Sequence, residues 1–522
     1  MSKKFYISTA IAYSSAVPHL GNVYEAILAD SIARFKRLDG FKVYFQTGTD
    51  EHGQKIEQKA KINEITPNVY VDQVTSEIKR IYDSMNVSYN KFVRTTDQFH
   101  VDSVQKIIDV LYKKGDIYLG KYEGWYSVAD EAYISENEIV DGKGPSGDTP
   151  VWTSEDVYFF KISKYQERLL KHIKDNPDFI MPESRKNEMI QNFLSEDLPD
   201  LSISRTSFKW GIPFPFDKNH VTYVWIDALS NYITGLGYEP GSEDAPMMKE
   251  YWPADIHLIG KDILRFHTIY WPILLMALEL ELPKTVFGHP WLLFDKAKMS
   301  KSTGNVVYTD TLLKHFPVDV IRYYVLHEIP YAQDGNLTNE LLVERNNSDL
   351  ANTIGNLVNR TIGMINKYRE GNIKKILIDE PFEYSLKDKS LALLPKMRKD
   401  MDTYKVSDAL EELLILARHA NKYIDISKPW ELFKNEENDK LDHVLYSLLE
   451  TIRFIAVGLQ PFLPETANKI FTMLDIKDQT FGSLETFGLY DGTKTKEVSV
   501  LFERYELEKK IEEILKGGHE KN

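Results

Sequence analysis

The chain has 522 residues, of which 43% are hydrophobic and 27% charged, and its formal net charge at pH 7 is −14. This length is too great for one hydrophobic core, so we expect two to four domains. The acidic balance argues against a general nucleic-acid coat protein but not against a local basic face. The chain contains no cysteine, which excludes disulfides and thiolate metal sites.

The sequence shows no membrane segment. No apolar run reaches the ~18 residues that a membrane-spanning helix requires. The first residues, Met1–Phe5, lead into a predicted strand without the apolar core of a signal peptide. We therefore expect a cytoplasmic protein with no membrane partner.

The first 50 residues predict a strand, a helix and a second strand. Lys4–Tyr13 is rich in aromatic and β-branched residues, and Phe41–Gln46 is again strand-like. Between them, Val23–Leu38 has apolar residues at helical spacing and is followed by Gly40. Ligands bind at the carboxyl ends of strands in open α/β sheets, so the loop that contains Pro18–Asn22 is a candidate site.

That loop contains a histidine beside a glycine. A lone histidine, such as His19, is more often a structural residue packed against the start of a helix. Here Gly21 lets a flat group approach the backbone, and the amino terminus of the following helix attracts negative charge. A hydrogen-bond donor at this point suits a phosphate.

A second candidate loop, Lys298–Ser302, has the sequence Lys-Met-Ser-Lys-Ser. A lysine is a compact charge with three donors, which suits the negative charge that develops on leaving phosphate oxygens. By itself the string indicates only a basic loop, and most such loops are solvated surface. A parallel sheet can nevertheless bring this loop and the His19 loop to one crevice.

The two loops together resemble a known pair of signatures. His19–Asn22 (HLGN) resembles the HIGH signature and Lys298–Ser302 matches KMSKS, in the order found in class I aminoacyl-tRNA synthetases. Within that class the chain resembles the methionyl-tRNA synthetases along nearly its whole length. The supporting segments are Ala12-Tyr13, Thr49–Gly53, Tyr223–Ala228, Gly260–Ile263, Phe266-His267 and Lys428–Trp430. Asn22 departs from the signature, which usually ends in histidine; its amide can donate to a phosphate but carries no charge.

The resemblance implies that methionine and ATP form methionyl-adenylate and pyrophosphate, and that methionine is then transferred to the 3′ end of tRNA(Met). This chemistry requires positioning and charge neutralisation, without a nucleophilic side chain. The implied ATP-binding residues are His19, Gly21, Asn22, Gly260, Asp262, Lys298 and Lys301. Among them, His19, Asn22, Lys298 and Lys301 are the implied catalytic residues. Mg²⁺ is implied by ATP, although no carboxylate cluster identifies its ligands. Without the resemblance, Asp262 would be read as a favourable charge at a helix amino terminus.

Methionine offers an ammonium group and a polarizable thioether, so a fitting pocket has one carboxylate and several aromatic walls. The resemblance assigns the carboxylate to Asp50. It assigns the wall to Ile11, Ala12, Tyr13, Trp225, Ala228, Tyr232, Ile263 and His267. Taken alone, aromatic residues at strand ends are more often core than pocket. Tyr13 and His267 are the polar members, and a contact with the sulfur would help to tell methionine from leucine.

The stretch from Tyr118 to about Arg205 predicts an insertion of short strands and turns. Many relatives carry a zinc knuckle here, built from four cysteines. Their positions align with Ser127, Asp130, Gly144 and Gly147, a set that cannot form a tetrahedral zinc site. We therefore expect no bound zinc and no protein metal ligands. The insertion is also too short for a separate editing domain.

The segments on either side of the Lys298 loop predict regular elements. Asp262–Leu280 is expected to be one helix, kinked at Pro272. Thr285–Phe294 is expected to be one strand that leads into the loop. Thr309–Val325 is expected to be a short helical link to the C-terminal part.

From about Asn336 the pattern is helical. The expected helices are Asn339–Lys367, Ser390–Tyr404, Val406–Ile424, Asp439–Leu459 and Pro464–Leu474. Asn356 and Arg360 are four residues apart and hence on one face. The resemblance implies that these two residues, with Pro429 and Trp430, read the CAU anticodon, the tryptophan by stacking on a splayed base. Without it, Trp430 would be read as a buried residue and Arg360 as part of a surface ion pair.

The sequence therefore predicts an α/β protein: a Rossmann-like class I synthetase catalytic domain with an inserted connective domain, followed by a C-terminal α-helical anticodon-binding bundle. The expected boundaries are 1–117 and 206–295 for the catalytic halves, 118–205 for the insertion, 296–338 for the KMSKS and linking region, and 339–522 for the bundle. The expected partners are methionine, ATP and tRNA(Met), and the expected oligomeric state is a monomer.

Three other functions compete with this interpretation. Another class I synthetase is disfavoured by the short insertion, in the case of leucine, and by the absence of cysteine ligands, in the case of cysteine. A catalytically silent tRNA-binding protein is disfavoured by the presence of His19, Asp50, Lys298 and Lys301. A nucleotidyltransferase that acts without RNA would not need the helical C-terminal third.

Overall fold

The computed structural model describes residues 3–129, 132–134, 136–145, 147–299, 306–381, 385–492, 494 and 499–518. The chain forms two compact units. The first contains residues 1–18, 42–83 and 88–289, and the second contains residues 19–41, 84–87 and 290–522. Within the described residues, no helix combines the length and apolarity needed to cross a membrane.

The strands of the described residues form four sheets. In chain order they are β1 (Lys4–Thr9), β2 (Ala12–Tyr13), β3 (Lys42–Asp50), β4 (Lys91–Arg94), β5 (Ile117–Ser127), β6 (Ala132–Ile134), β7 (Val151–Phe160), β8 (Ile180–Met181), β9 (Leu201–Ser202), β10 (Ser204–Arg205), β11 (Val221–Thr222), β12 (Ile256–Gly260), β13 (Val286–His289), β14 (Leu292–Phe294), β15 (Ala297–Lys298) and β16 (Gly335–Leu337).

The α-helices of the described residues are, in chain order, α1 (Leu20–Leu38), α2 (Gln54–Ile62), α3 (Pro67–Ser84), α4 (Gln98–Lys113), α5 (Gln166–Asp175), α6 (Glu183–Met189), α7 (Val224–Thr234), α8 (Pro246–Tyr251), α9 (Trp271–Ala277), α10 (Thr309–Leu313), α11 (Val318–His327), α12 (Asn339–Arg345), α13 (Asn356–Arg369), α14 (Leu386–Leu391), α15 (Leu393–Asp402), α16 (Val406–Ser427), α17 (Pro429–Lys434), α18 (Asn438–Leu459), α19 (Pro464–Leu474) and α20 (Leu507–Gly518).

The first unit is built on a parallel sheet with the order β2-β3-β1-β12-β13-β8, in which β4 also pairs with β3. All of its strand pairs are parallel. β3 and β12 are buried along nearly their whole length, as expected for a parallel sheet covered on both faces. Parallel strands point their carboxyl ends the same way, so Tyr13, Asp50 and Gly260 end three strands of this sheet in the same direction. The predicted α/β class is confirmed.

Two strands differ from the prediction at their carboxyl ends. Lys4–Tyr13 is two strands, β1 and β2, instead of one. β3 continues past the predicted end at Gln46, because its polar residues are buried and hydrogen-bonded. Gln46 donates to the carbonyl of Asn231 over 2.9 Å, and the Thr9 hydroxyl donates to Thr47 over 2.7 Å. Residues that suggest a loop by polarity therefore lie in the sheet.

The inserted region forms an antiparallel sheet with the order β6-β5-β7-β9. β5 has 11 residues and β7 has 10, and they pair from Ile117–Phe160 to Tyr126–Val151. The prediction of short strands is therefore wrong for these two. The aromatic residues along both strands pair across the ladder, as Trp125 does with Trp152, which stabilises two long paired strands.

The predicted helix Asp262–Leu280 is helical without a break from Lys261 to Ala277, but it is not a regular α-helix. The segment forms a 3-10 turn at Lys261–Ile263, a π-helical turn at Phe266–Tyr270 and then α9. Pro272 lies in the first turn of α9, directly after the π-helical turn. The irregular turns thus accommodate the proline before regular helix begins.

The predicted strand Thr285–Phe294 is also divided. β13 belongs to the parallel sheet, whereas β14 belongs to a three-stranded sheet of the second unit with the order β15-β14-β16. Pro290 separates the two strands, and proline cannot donate to a strand ladder.

The second unit contains the helical part of the chain. Three of the five predicted helices match α16, α18 and α19 to within three residues at each end. The predicted helix Asn339–Lys367 includes a π-helical stretch, Asn346–Gly355, between α12 and α13. The predicted helix Ser390–Tyr404 is broken between α14 and α15.

A buried arginine joins α1 to the rest of the second unit. Arg322 on α11 is fully buried and donates to Asp30 on α1 over 2.8 Å. It also donates to three carbonyl oxygens, those of Met85, Pro461 and Phe462. One side chain therefore satisfies acceptors from three separate segments, which fixes α1 against the helices that follow.

Replacing Arg322 with methionine should lower the free energy of unfolding by about 3–5 kcal/mol, because buried acceptors would lose their donor. Denaturant unfolding followed by circular dichroism measures the change. Arg80→Met is the control: its ion pair with Glu77 is about half exposed, so a loss under about 1 kcal/mol is expected. Equal losses in both variants would contradict the role of Arg322.

Candidate functional site

One face of α7 carries three of the predicted pocket residues. Trp225, Ala228 and Tyr232 follow one another at spacings of three and four residues, which places them on one side of a helix. Ala228 and Tyr232 are buried, and Trp225 is half-buried. The helix therefore presents a wall that has an open aromatic end and a closed one.

The closed end contains a tyrosine–histidine pair. The Tyr232 hydroxyl and Nε2 of His267 are 2.7 Å apart, and Nδ1 of His267 is 3.0 Å from the carbonyl oxygen of Ile263. A carbonyl only accepts, so Nδ1 carries the proton and Nε2 accepts from the Tyr232 hydroxyl. Burial lowers the pKa of His267 to about 4, so the imidazole is neutral at physiological pH. This pair is a neutral, oriented polar group inside an apolar wall.

The irregular segment between Lys261 and Tyr270 brings further residues to this wall. Phe266 stacks on Trp225 with ring centroids 3.7 Å apart and planes 5° apart. His267 meets the same indole edge-on at 5.9 Å. The π-helical turn therefore places two consecutive side chains, Phe266 and His267, against one ring. The sequence prediction omitted Phe266 from the pocket, although it lies beside His267.

The carboxylate assigned to the pocket lies at the carboxyl end of β3. Asp50 is 9% exposed and pairs in register with Tyr13 of β2. Its carbonyl accepts from the backbone N–H of Ser14 over 2.8 Å. Ile11, Ala12 and Tyr13 are half-buried. The structure therefore brings the short strand β2 and Asp50 together, as the resemblance implies.

Gly260 and Asp262 lie where β12 ends. Gly260 is buried, and a Cβ atom added to it would lie 2.7 Å from a carboxylate oxygen of Asp262. A side chain at position 260 would therefore displace this carboxylate. Ile263 follows directly in the 3-10 turn and accepts the hydrogen bond from His267. Asp262, which is predicted to bind ATP, is thus followed directly by Ile263, which is predicted to contact methionine.

In the second unit, His19 precedes α1 as its N-cap residue. Its backbone N–H donates to Oδ1 of Asn22 over 3.3 Å, and Asn22 is exposed. Because Oδ1 accepts this bond, the NH2 group of Asn22 is the end of the amide suited to an anion. The amino terminus of α1 also attracts negative charge.

The residues that flank Ser300–Asn305 lie close to the HLGN segment. A Cβ atom on Gly21 would lie 3.3 Å from the terminal methyl of Met299. The backbone N–H of Leu20 donates to the carbonyl of Val307 over 2.9 Å. Both flanks of the KMSKS loop therefore contact the HLGN segment. Lys301 and the side chain of Lys298 lie outside the described residues.

The inserted knuckle is organised by a carboxylate. The Ser127 hydroxyl lies 2.9 Å from both carboxylate oxygens of Asp148, and the N–H of Ala129 donates to the same group over 3.2 Å. A Cβ atom on Gly144 would come within 2.9 Å of Asp148. Among the residues that the structure describes, no group of three or more His, Asp or Glu side chains could hold a metal ion. Asp130 lies outside the described residues.

The predicted anticodon residues lie on the helical unit. Asn356 donates to the side chain of Asn421 over 3.2 Å, and Arg360 donates to Asp425 over 2.7 Å. Asn421 and Asp425 are four residues apart on α16, so two helices face each other with matched polar pairs. The sequence prediction did not include them, because each is an ordinary polar residue until its partner is known.

Pro429 and Trp430 begin α17, directly after α16 ends at Ser427. Lys428, which separates the two helices, has a left-handed backbone, with φ of 45°. Pro429 is buried, whereas the indole of Trp430 is 43% exposed. The reading of Trp430 as a buried bundle residue is therefore wrong, and its exposed ring is free of the constraint of core packing.

Comparison with known proteins matches two family profiles. One, described as tRNA synthetases class I (M), matches residues 5–148 and 145–362. The other, described as the anticodon binding domain of methionyl tRNA ligase, matches residues 380–513.

Individual relatives agree with these profiles. The methionine–tRNA ligase of Clostridium acetobutylicum is 53% identical over 98% of this chain and 80% of its own length, and that of Clostridium perfringens is 52% identical over the same shares. The structure of Mycobacterium tuberculosis methionyl-tRNA synthetase bound by methionyl-adenylate is 40% identical, with a TM-score of 0.91 over 96% of this chain and 100% of that chain.

The pKa of His267 makes a prediction about stability. Burial lowers this pKa from 6.5 to about 4, so the unfolded chain binds the proton more tightly. The contribution of neutral His267 is complete above pH 6.5 and is lost as the pH falls towards 4, by about 3 kcal/mol in total. The difference in unfolding free energy between the wild type and His267→Gln should therefore decrease between pH 7 and pH 4.5. A difference that is constant with pH would contradict the burial of a neutral imidazole.

Proposed function

Because the chain belongs to the methionyl-tRNA synthetase family, we propose that it joins methionine to tRNA(Met) in two steps. The carboxylate of methionine attacks the α-phosphate of ATP, which forms methionyl-adenylate and releases pyrophosphate. The 3′-terminal adenosine of tRNA(Met) then accepts the methionyl group, and AMP leaves. The placement of Asp50 at the end of β3, and of the Tyr232–His267 pair on and beside α7, supports this proposal, because an amphipathic amino acid needs one carboxylate and an aromatic wall.

Asp50 accepts hydrogen bonds from the ammonium group of methionine. The side chain lies among Ile11, Ala12, Tyr13, Trp225, Ala228, Tyr232, Ile263 and His267, which gives the thioether aromatic faces that suit a polarizable sulfur. Hydrophobic fit alone discriminates by only about 1–3 kcal/mol per methylene. A weak contact between the sulfur and a polar member of the wall, Tyr13 or His267, adds a feature that a leucine side chain lacks.

The residues proposed to bind ATP belong to both signature segments and to the end of β12. Asp262 accepts from the ribose hydroxyls beside Gly260, as carboxylates do in other nucleotide folds. His19, Gly21, Asn22 and the start of α1 hold the phosphates. Lys298 and Lys301 stabilise the charge that develops on pyrophosphate as it leaves. ATP enters as its Mg²⁺ complex, and the chain supplies no separate metal ligands and no zinc site.

The helical unit reads the anticodon. Trp430 stacks on a splayed base, and the side chains of Asn356 and Arg360 bond base edges beside Pro429. Asp425 pairs with Arg360 in the unbound protein, so the guanidinium is already oriented when RNA replaces or joins this partner.

The remaining assignments complete this proposal. The protein acts as a monomer in the cytoplasm, where ATP and tRNA are available. The catalytic domain consists of residues 1–117 and 206–295, the insertion of 118–205, the linking region of 296–338 and the anticodon-binding domain of 339–522.

Amino-acid-dependent ATP–pyrophosphate exchange, measured across a panel of amino acids, tests the proposal. Exchange with methionine and with no other natural amino acid is expected. Exchange with leucine and not methionine would contradict the assigned substrate. Binding of tRNA(Met) without any exchange would instead favour a silent tRNA-binding protein.

Lys301→Ala should slow adenylate formation about 100-fold while the dissociation constants of ATP and methionine change little. Only interactions that are stronger in the transition state than in the ground state accelerate the step. Single-turnover rates, together with equilibrium binding, separate the two effects. Lys296→Ala removes an exposed lysine of the same region and should leave both unchanged. Weakened ATP binding at an unchanged rate would show that Lys301 only binds the substrate.

Trp430→Ala should lower tRNA(Met) charging by about 10- to 100-fold and leave pyrophosphate exchange unchanged, because base stacking contributes about 1–3 kcal/mol. Trp152→Ala is a matched control, since Trp152 is 58% exposed but lies in the inserted sheet. Equal losses of charging and exchange in Trp430→Ala would mean that this residue supports the fold.

A further inference from the structure

The two residues that follow Asp50 are both buried and polar. Glu51 is fully buried and His52 is 7% exposed. Buried polar side chains stabilise a structure only when they are fully hydrogen-bonded, and their bonds then fix the local backbone. The hydrogen bonds of these neighbours therefore restrain the backbone from which the Asp50 carboxylate extends.

Glu51 ties the strand end to α3 and to the end of β4. Its Oε1 accepts from the hydroxyls of Thr49 and Thr75, each over 2.6 Å, and from Nε of Arg94 over 2.8 Å. Its carbonyl accepts from the indole N–H of Trp210 over 2.6 Å. These bonds hold the main chain at Glu51 but do not reach the pocket wall.

His52 ties the same segment to the pocket wall. Its Nδ1 lies 2.7 Å from one carboxylate oxygen of Asp227, which is on α7. Asp227 lies between Trp225 and Ala228 in the sequence and is 1% exposed. The bond therefore joins the segment that carries the ammonium-binding carboxylate to the helix that carries the side-chain wall.

The other carboxylate oxygen of Asp227 bonds a residue of α4, which is not part of the segment that carries Asp50. It lies 2.7 Å from Nε2 of His100, and Nδ1 of His100 lies 2.7 Å from the Thr234 hydroxyl. Burial would raise the pKa of Asp227, but the two histidines outweigh burial and lower it, so the group is a carboxylate that accepts two N–H bonds. One oxygen thus faces α4, which carries His100, and the other faces the Asp50 segment.

We propose that Asp227, acting through His52, is a positioning residue that holds the Asp50 carboxylate at the distance from α7 that methionine requires. The proposal rests on the proposed role of Asp50 in binding the ammonium group. A displacement of the carboxylate relative to the wall weakens the bond to the ammonium without changing the wall itself. Its effect is therefore specific to ligands that carry an ammonium group.

The test measures equilibrium binding of methionine and of 4-(methylthio)butanoate, which has the same side chain and carboxylate but no ammonium group. His52→Leu removes the bond to Asp227 on the side of Asp50. His100→Leu removes the equivalent bond on the other oxygen and is the matched control. His52→Asn keeps an N–H donor near the position of Nδ1 and tests rescue.

His52→Leu should weaken methionine binding about tenfold and leave the binding of the analogue unchanged, so that the preference for methionine falls about tenfold. His52→Asn should restore most of that preference. His100→Leu should lower the thermal unfolding midpoint while the preference stays at the wild-type value. If His52→Leu does not fold, Asp227→Asn, which preserves the shape of the side chain, should show the same loss of preference.

Equal weakening of both ligands in His52→Leu or Asp227→Asn would overturn the positioning role, as would a loss of preference in His100→Leu as large as that in His52→Leu. Asp50→Asn separates this result from the proposed function. A preference that is unchanged in Asp50→Asn would overturn the role of Asp50 itself. A preference that is lost in Asp50→Asn but intact in His52→Leu would overturn only the role of Asp227.

Discussion

Buried hydrogen bonds between the parallel sheet and α7 are the constraint on which the amino-acid pocket depends. The Tyr6 hydroxyl donates to the carbonyl of Tyr232, Gln46 donates to that of Asn231, and the Tyr44 hydroxyl donates to that of Gly235. Each of these donors lies on β1 or β3, and each acceptor lies on α7 or directly after it. An unsatisfied buried polar group would cost about 1–3 kcal/mol, so the helix cannot slide without breaking several bonds at once.

This arrangement explains how a flexible amino acid can be bound with precision. Parallel pairing sets the position of Asp50 beside Tyr13, and the polar bonds to α7 set the distance from Asp50 to the wall. The π-helical turn then adds Phe266 and His267 to the same wall. The pocket therefore combines three elements that are far apart in sequence, and its geometry follows from bonds that lie behind it.

Much of the fold could be predicted from the sequence, and so could the segments that carry the candidate site. The HLGN and KMSKS segments and the helical spacing of the C-terminal part are local patterns that need no partner to be recognised. The end of β3 was predicted too early because Gln46 and Thr47 have buried partners that polarity alone does not reveal. Phe266 and Asp227 were missed for a similar reason: one depends on an irregular turn, and the other on two histidines that are distant in sequence.

The most direct test of this account is a crystal structure of the protein with bound methionine. The account predicts the ammonium nitrogen within about 3 Å of the Asp50 carboxylate. It also predicts the thioether between Trp225 and the Tyr232–His267 pair, with the bond from His52 to Asp227 intact. Methionine bound elsewhere, or bound here with its ammonium group turned away from Asp50, would contradict it.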